Sequence, residues 1–465
     1  MPKTQRLGTA NIGRLLWELS IPAMVGSAVM ALYNVVDRLF IGRGCGTEAM
    51  AGLTLTFPYM MVLASFGVLF GVGSGAMISI RLGEGRHDEA EKVLGQGIAL
   101  KLLFVVFPML ALVFLDKTIV LFGGNAASIP YAHDYLRVVL WGNVFSHLGF
   151  GMSAFMRAEG NARKSMTAML IGAIANVILD PLFIFGFGMG IRGAAWATNI
   201  AMFLSACYGF AHFLGPRCHV RLHVRNIRLW ASRLGPVLAI GLSPFFLHLI
   251  ASLAQVSYNH AFRLWAADSH AANVAIAASG TINGILLFVL MPVFGLTQGM
   301  QPIVGFNYGA RNFERVARAF KLTMIAATVI CAAGTVSCMA LASPLAAAFT
   351  KAPDVHALTR WSLRVACAAF PFIGAPITST TYFQAIGRAK VAIVLSILRQ
   401  ALLLIPLIFL LPMLFGARAI WFSAPISDLA SAAVSMTVVV FELRRLRRLQ
   451  EDFDLEPDAR RTRAR

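Results

Sequence analysis

Twelve runs of 21 to 31 mostly apolar residues are the feature that constrains this chain most. They cover approximately 15–41, 52–80, 95–115, 134–156, 166–187, 194–214, 236–262, 273–303, 319–341, 358–386, 391–414 and 419–441. Each is long enough to cross a bilayer as a helix, which needs about 20 residues. Helices are the expected spanning form, because a lone helix satisfies its own backbone groups and the runs lack barrel alternation. Only 13% of residues are charged and mean hydropathy is +0.72. The sequence therefore predicts an all-α polytopic membrane protein. No cleavable signal peptide is expected, since the first run is too long for a signal core.

The net charge of +19 raises the question of nucleic acid. The basic residues lie in short loops and tails, as the positive-inside rule expects, so no nucleic-acid partner is predicted. With a cytoplasmic N-terminus, the inner segments hold roughly 28 basic residues against about six outside. Both termini are expected in the cytoplasm. Arg444, Arg445, Arg447 and Arg448 follow the last run and read as a headgroup-binding stop signal. The six cysteines are scattered without a CxxC pair, so neither a disulfide framework nor a zinc site is indicated.

The chain repeats itself. Gly71, Gly75 and Gly85 match Gly295, Gly299 and Gly309, each 224 positions later. Pro22 matches Pro244, Arg157-Ala-Glu-Gly160 matches Gln384-Ala-Ile-Gly387, and Trp196 matches Trp421. These ordered pairings predict two six-helix lobes. An even number of spans gives both the same orientation, so a pseudo-two-fold runs along the membrane normal. The expected division is 1–220 for the N-terminal lobe with a cation site, 221–443 for the C-terminal lobe and 444–465 for a basic cytoplasmic tail.

Gly188-x-Gly190-x-x-Gly193 has the form of a dinucleotide fingerprint, but no strand precedes it, and it reads as a turn between spans. HExxH, GxSxG and Walker A sequences do not occur. Gly67, Gly71 and Gly75 suggest close helix packing. His147, His212 and His248 read as packing histidines. Arg137, Arg360 and Arg364 sit near span ends and can snorkel, as can Lys101 from the third span.

Asp37, Asp180 and Asp428 resist such explanations. A central Asp costs roughly 2.5–3.5 kcal/mol on insertion scales, so function is the working hypothesis. Asn176 and Asp180 are four apart and share a helix face. Asp37, Asp180 and Thr198 lie at depths that agree within roughly 5 Å, counted from the outer span ends at about 1.5 Å per residue. Two carboxylates, an amide and a hydroxyl suit a hard cation such as Na+. Paired carboxylates equally suit a proton. The alternative is that each Asp caps or bonds locally, with Asp180-Pro181 marking a kink.

Val35-Val-Asp-Arg-Leu-Phe-Ile-Gly42, Gly46-Thr-Glu-Ala-Met-Ala51 and Gly299-Met-Gln-Pro-Ile-Val-Gly-Phe-Asn-Tyr-Gly-Ala310 resemble the MATE (multidrug and toxic compound extrusion) family of secondary transporters, in its bacterial branch. The resemblance spans nearly all of 10–445. It implies twelve helices in two lobes and drug/cation antiport by alternating access, with H+ or Na+ as coupling ion and no cofactor. Family members use an Asp of helix one, an Asn and Asp of helix five and a Thr of helix six, which fall on Asp37, Asn176, Asp180 and Thr198. Some members carry acids on helices seven and ten; here the seventh span offers Gln255 and the tenth has no carboxylate. Tyr33, Phe57, Met60, Met61, Tyr135, Gln255 and Asp428 are candidate cleft residues. The expected protein is a monomer of the bacterial inner membrane, with membrane lipid around it, exporting small drug-like cations. The alternatives are a lipid-linked oligosaccharide flippase of the same architecture and an intramembrane enzyme; the former is expected to line its cavity with cationic residues, and no nucleophile–base pair supports the latter.

Overall fold

The computed structural model describes residues 3–107, 129–216, 218–350 and 352–455. The described residues are all-helical and contain no strand. Among the described residues, ten helices are long and apolar enough to cross a membrane: Ile12–Gly46, Glu48–Gly83, Ile129–Ala158, Ala162–Gly186, Gly190–Leu214, Ala231–Trp265, Ser269–Gly309, Phe313–Ala340, Ala389–Phe415 and Ala417–Asp454. An eleventh span is the pair Pro353–Cys367 and Phe370–Ala385, bent by 45°. Pro371 lies at that break, where its missing N–H interrupts the helical ladder. The remaining predicted span, the third, starts in helix His87–Phe104; its continuation past residue 107 lies outside the described residues. All twelve predicted runs thus fall on helix where the chain is described. The spans are numbered one to twelve below.

Local chemistry sets the ends. Asn11 caps span one by accepting from the Arg14 N–H at 3.3 Å. Asp268 caps span eight at 2.7 Å from the Ala271 N–H. Asn312 caps span nine at 3.4 Å from the Arg315 N–H. Such side-chain acceptors satisfy donors that the first turn leaves free. Gly46, between spans one and two, adopts φ +84°. The repeated glycines Gly160 and Gly387 both take left-handed turns, at φ +87° and +75°. Gly188 and Gly190 do the same at +63° and +57°, so the GxGxxG sequence is the turn it was read as. The last helix, Ser423–Leu455, includes the arginines at 444–448. Residues 456–465 of the predicted tail lie outside the described residues.

Spans one and two pack on spans seven and eight near the end of the bundle that carries both termini. Backbone meets backbone there. A Cβ on Gly83 would stand 1.9 Å from the Phe306 carbonyl oxygen, and one on Gly309 2.2 Å from that of Ile80. Gly73 meets the Val237 carbonyl at 2.1 Å and Gly241 that of Leu69 at 2.0 Å. Gly299 lies against Ser20, whose hydroxyl donates to the Leu296 carbonyl at 3.3 Å. Gly67, Gly71 and Gly75 pack instead within the N-terminal half, against His147, Ala154 and Ala158 of span four. Toward the opposite end, Leu32, Val35, Leu39, Phe57, Leu253 and Val256 are exposed.

Candidate cation site and central cleft

Span five carries Asn176 and Asp180 one turn apart, and both are buried. Pro181 follows directly, and the helix widens into a π-helical turn over Leu182–Gly186. The Asn176 Nδ2 donates to Asp180 Oδ1 at 3.2 Å and to Thr198 Oγ1 of span six at 3.4 Å. Span six is held close to span four because Gly142 leaves room for the Asn199 amide, which donates to the Val138 carbonyl at 2.7 Å. Asp37 of span one is buried, and its carboxyl group comes within hydrogen-bonding reach of that of Asp180. The four residues predicted as a set are therefore brought together.

The set is short of donors. Asp37 Oδ1, Asp180 Oδ2 and Asn176 Oδ1 are buried acceptors with no hydrogen-bond partner among the described residues. A buried acceptor left without a donor costs roughly 1–3 kcal/mol, and more when charged. A proton shared between the carboxyls, or a monovalent cation among the three oxygens, answers that shortage. The ligating atoms are all oxygens, the type that suits hard cations. Arg38 does not bond Asp37; its guanidinium lies 5.9 Å from the Phe57 ring centroid.

The candidate cleft residues divide. Tyr33 and Tyr135 lie beside the acid pair, Tyr135 buried and in side-chain contact with Thr198. Met60 packs on the small core around Tyr135 and Ile41, while Phe57 is exposed and Met61 half-buried. Gln255 accepts from the Asn283 amide at 2.5 Å and donates to Asn259 at 3.3 Å, which forms a polar patch on spans seven and eight. Asp428 does not stand alone as it does in the sequence. Arg399 of span eleven donates to it at 2.6 Å, and the pair is largely buried. Arg399 escaped sequence reasoning, although a lone Arg inside the apolar run 391–414 was a usable signal.

At the termini-bearing end, Arg233 at the start of span seven grips Glu89 at the start of the third span with two bonds of 2.8 Å. The Arg233 guanidinium beside it, with Lys92, holds the Glu89 carboxyl down at about 2. Trp230 stacks against Arg228, 3.9 Å from ring centroid to guanidinium. The Glu89–Arg233 pair joins the first half of the chain to the second.

Comparison with known proteins agrees with this architecture. The MatE family model matches residues 22–182 and again 248–410, once in each half. The chain is 26% identical over 430 residues to Multidrug export protein MepA of Staphylococcus aureus strain MSSA476, covering 92% of this chain and 93% of that protein. The Staphylococcus haemolyticus protein of the same name is 26% identical over 436 residues, covering 94% of each. A solved outward-facing conformation of a multidrug resistance MATE family transporter shares the fold, with TM-score 0.90 and 24% identity over 96% of this chain and 99% of that one.

Proposed function

Because the chain belongs to the MatE family and is a multi-pass membrane transporter rather than an enzyme, we propose that it exports amphipathic cations across the bacterial cytoplasmic membrane, both termini cytoplasmic, in exchange for inward H+ or Na+. The coupling ion binds at Asp37, Asn176, Asp180 and Thr198. The observation that carries this reading is the trio of buried, donorless oxygens on Asp37, Asp180 and Asn176. An ion drives a conformational cycle only through its differential affinity for the two states. Asp37 sits on span one, which also packs against span eight through Ser20. Asp180 sits on span five of the same half. Occupancy of the acid pair therefore bears on the helix that links the site to the lobe interface. With the lobes (1–220 and 221–443) in contact at the termini-bearing end, the drug cleft opens to the outside, and Phe57, Met61 and the Gln255–Asn283 patch face the cargo.

Reconstituted protein, a fluorescent lipophilic cation and separately imposed ΔpH and ΔNa+ test this. Flux should follow one gradient and fall at least tenfold in Asp180→Asn and Asp37→Asn. Full gradient-driven flux in Asp180→Asn would overturn the assignment.

A further inference from the structure

The residues ahead of span one form a short helix of their own, Lys3–Thr9, which is seven residues long. An isolated helix is marginal in water below about 12–15 residues. Gly8 lowers its intrinsic stability further. Its order must therefore come from what it docks on. Leu7 is 1% exposed and belongs to the buried cluster that holds Val304 of span eight and Phe313 of span nine. A Cβ on Gly8 would stand 3.0 Å from the Phe306 ring of span eight. On the other side, a Cβ on Gly160, in the turn between spans four and five, would stand 3.5 Å from Leu7 Cδ1. The segment is wedged between the two halves of the chain.

The last turn of a helix leaves carbonyls without an intrahelical donor. Here the second half of the chain supplies the donors. Asn307 Nδ2 of span eight donates to the Leu7 carbonyl at 2.9 Å. The Arg315 guanidinium of span nine donates to the same carbonyl at 3.2 Å and to that of Ala10 at 2.7 Å. Its Nε donates to Asn307 Oδ1 at 3.1 Å, which holds the two side chains to each other. A cation at a helix C-terminus also meets the negative end of the helix dipole. Hydrogen bonds from a charged donor are the stronger kind. The tie to the first half is of another sort: Arg6 pairs with Glu18 of span one through bonds of 2.8 and 3.3 Å.

We propose that residues 3–10 are a latch, a strap that belongs to the first half, is capped by the second, and fastens the lobes while they meet at the termini-bearing end. When the lobes part there, Arg6–Glu18 keeps the strap on span one. Asn307 and Arg315 leave with the second half, the last turn loses its donors, and the strap unfolds. Closing orders it again, so the switching element is an order–disorder transition of one segment. The proposal rests on the alternating-access reading above, which requires the lobes to part at this end.

The test is the distance between spin labels at position 86, after span two, and position 390, at the start of span eleven. Arg315→Met, and a chain lacking residues 2–10, should each raise the long-distance population about tenfold, the scale of a charged hydrogen bond. Arg318→Gln removes a neighbouring charge outside the hydrogen-bonded set and should leave the distribution unchanged. Adding Arg315→Met to the shortened chain should change nothing more, because both remove one interaction. Hydrogen exchange at residues 6–10 should quicken about tenfold in Arg315→Met and not in Arg318→Gln. That measurement reads the latch in the full chain, whether or not the shortened one is recovered. Gly73→Ala separates the latch from the reading beneath it. If Gly73→Ala parts the lobes while Arg315→Met does not, or if the effects of shortening and Arg315→Met add, the latch is refuted and the transport cycle stands. If no variant populates a parted conformer, both fail.

Discussion

Gly73→Ala and Gly75→Ala are two residues apart on one helix yet face opposite consequences. A Cβ at 73 would stand 2.1 Å from the Val237 carbonyl oxygen and 3.3 Å from the Gly241 nitrogen. All of these are backbone atoms of span seven, so no rotamer change relieves the clash. The helices must part by roughly 1 Å to restore ordinary contact, and forced overpacking of this kind costs about 1–3 kcal/mol. At 75 the nearest atom is the Ala154 carbonyl oxygen at 3.6 Å, an ordinary contact within one lobe. Both substitutions gain the same helix propensity, about 1 kcal/mol. Gly75→Ala should therefore be neutral or slightly stabilising. Gly73→Ala should penalise the state in which the lobes meet at the termini-bearing end. Two kcal/mol is a shift of about 30-fold in the equilibrium between conformers. Spin labels on Arg86 and Arg318 positions, both at that end, report the separation as a distance distribution. The expected result is a new long-distance population in Gly73→Ala alone. If the two variants give the same distribution, the glycine contacts do not hold the lobes together and the reasoning fails.

Three further outcomes follow from charges. Glu89→Gln removes a two-bond ion pair on Arg233 and should cost about 0.5–1 kcal/mol, the scale for a partly exposed pair. Because the native Glu89 carboxyl is held down at about 2, its contribution is complete above the ordinary carboxylate range and fades as pH falls toward 2. The wild-type advantage over Glu89→Gln in hydrogen exchange at 224–233 should thus be flat from pH 5 to 8, and a slope there would refute it. Asp428→Leu leaves Arg399 without its partner and should lower stability by about 3–5 kcal/mol, whereas Arg399→Met with Asp428→Leu should recover most of it. Unfolding midpoints in detergent read that cycle, and equal losses in the single and double variants would remove the pair from the account.

The spans were legible because burial in lipid leaves a one-dimensional mark, a long apolar run. The acid site was legible for a related reason: charge is rare at that depth, and helical rise converts sequence position into depth. Asn176, Asp180 and Thr198 needed only that and the i,i+4 rule. Facing was not legible. A helix that is apolar all round has no amphipathic signal to say which side meets the other lobe. The Gly67–Gly71–Gly75 ladder was visible, but Gly73, which lies between its members and makes the inter-lobe contact, was not. Lys101, expected to snorkel, is instead buried, and the glycines that accommodate it, Gly71 and Gly151, come from two other helices. The Arg399–Asp428 pair likewise joins separate spans, and no spacing rule connects positions on different helices.

The two lobes share a fold but not a charge state. In the first, Asp37 and Asp180 face each other, and among the described residues no cation is hydrogen-bonded to either. In the second, Asp428 already has a permanent cation in Arg399. A mobile ion gains most where no built-in countercharge competes, so ion binding is expected at the first lobe's acids and not at Asp428. The interface then sets the size of the signal. Moving a two-state equilibrium from 1:99 to 99:1 takes about 5.5 kcal/mol of differential affinity. One coupling site can approach that only if the resting bias is smaller. The contacts at Gly73, Gly83, Gly241 and Gly309 are between backbone atoms, and Glu89–Arg233 adds an increment at the rim that is flat from about pH 5 to 8. A bias built from packing stays constant as protons or Na+ come and go, which leaves the acid pair as the variable contribution to the cycle.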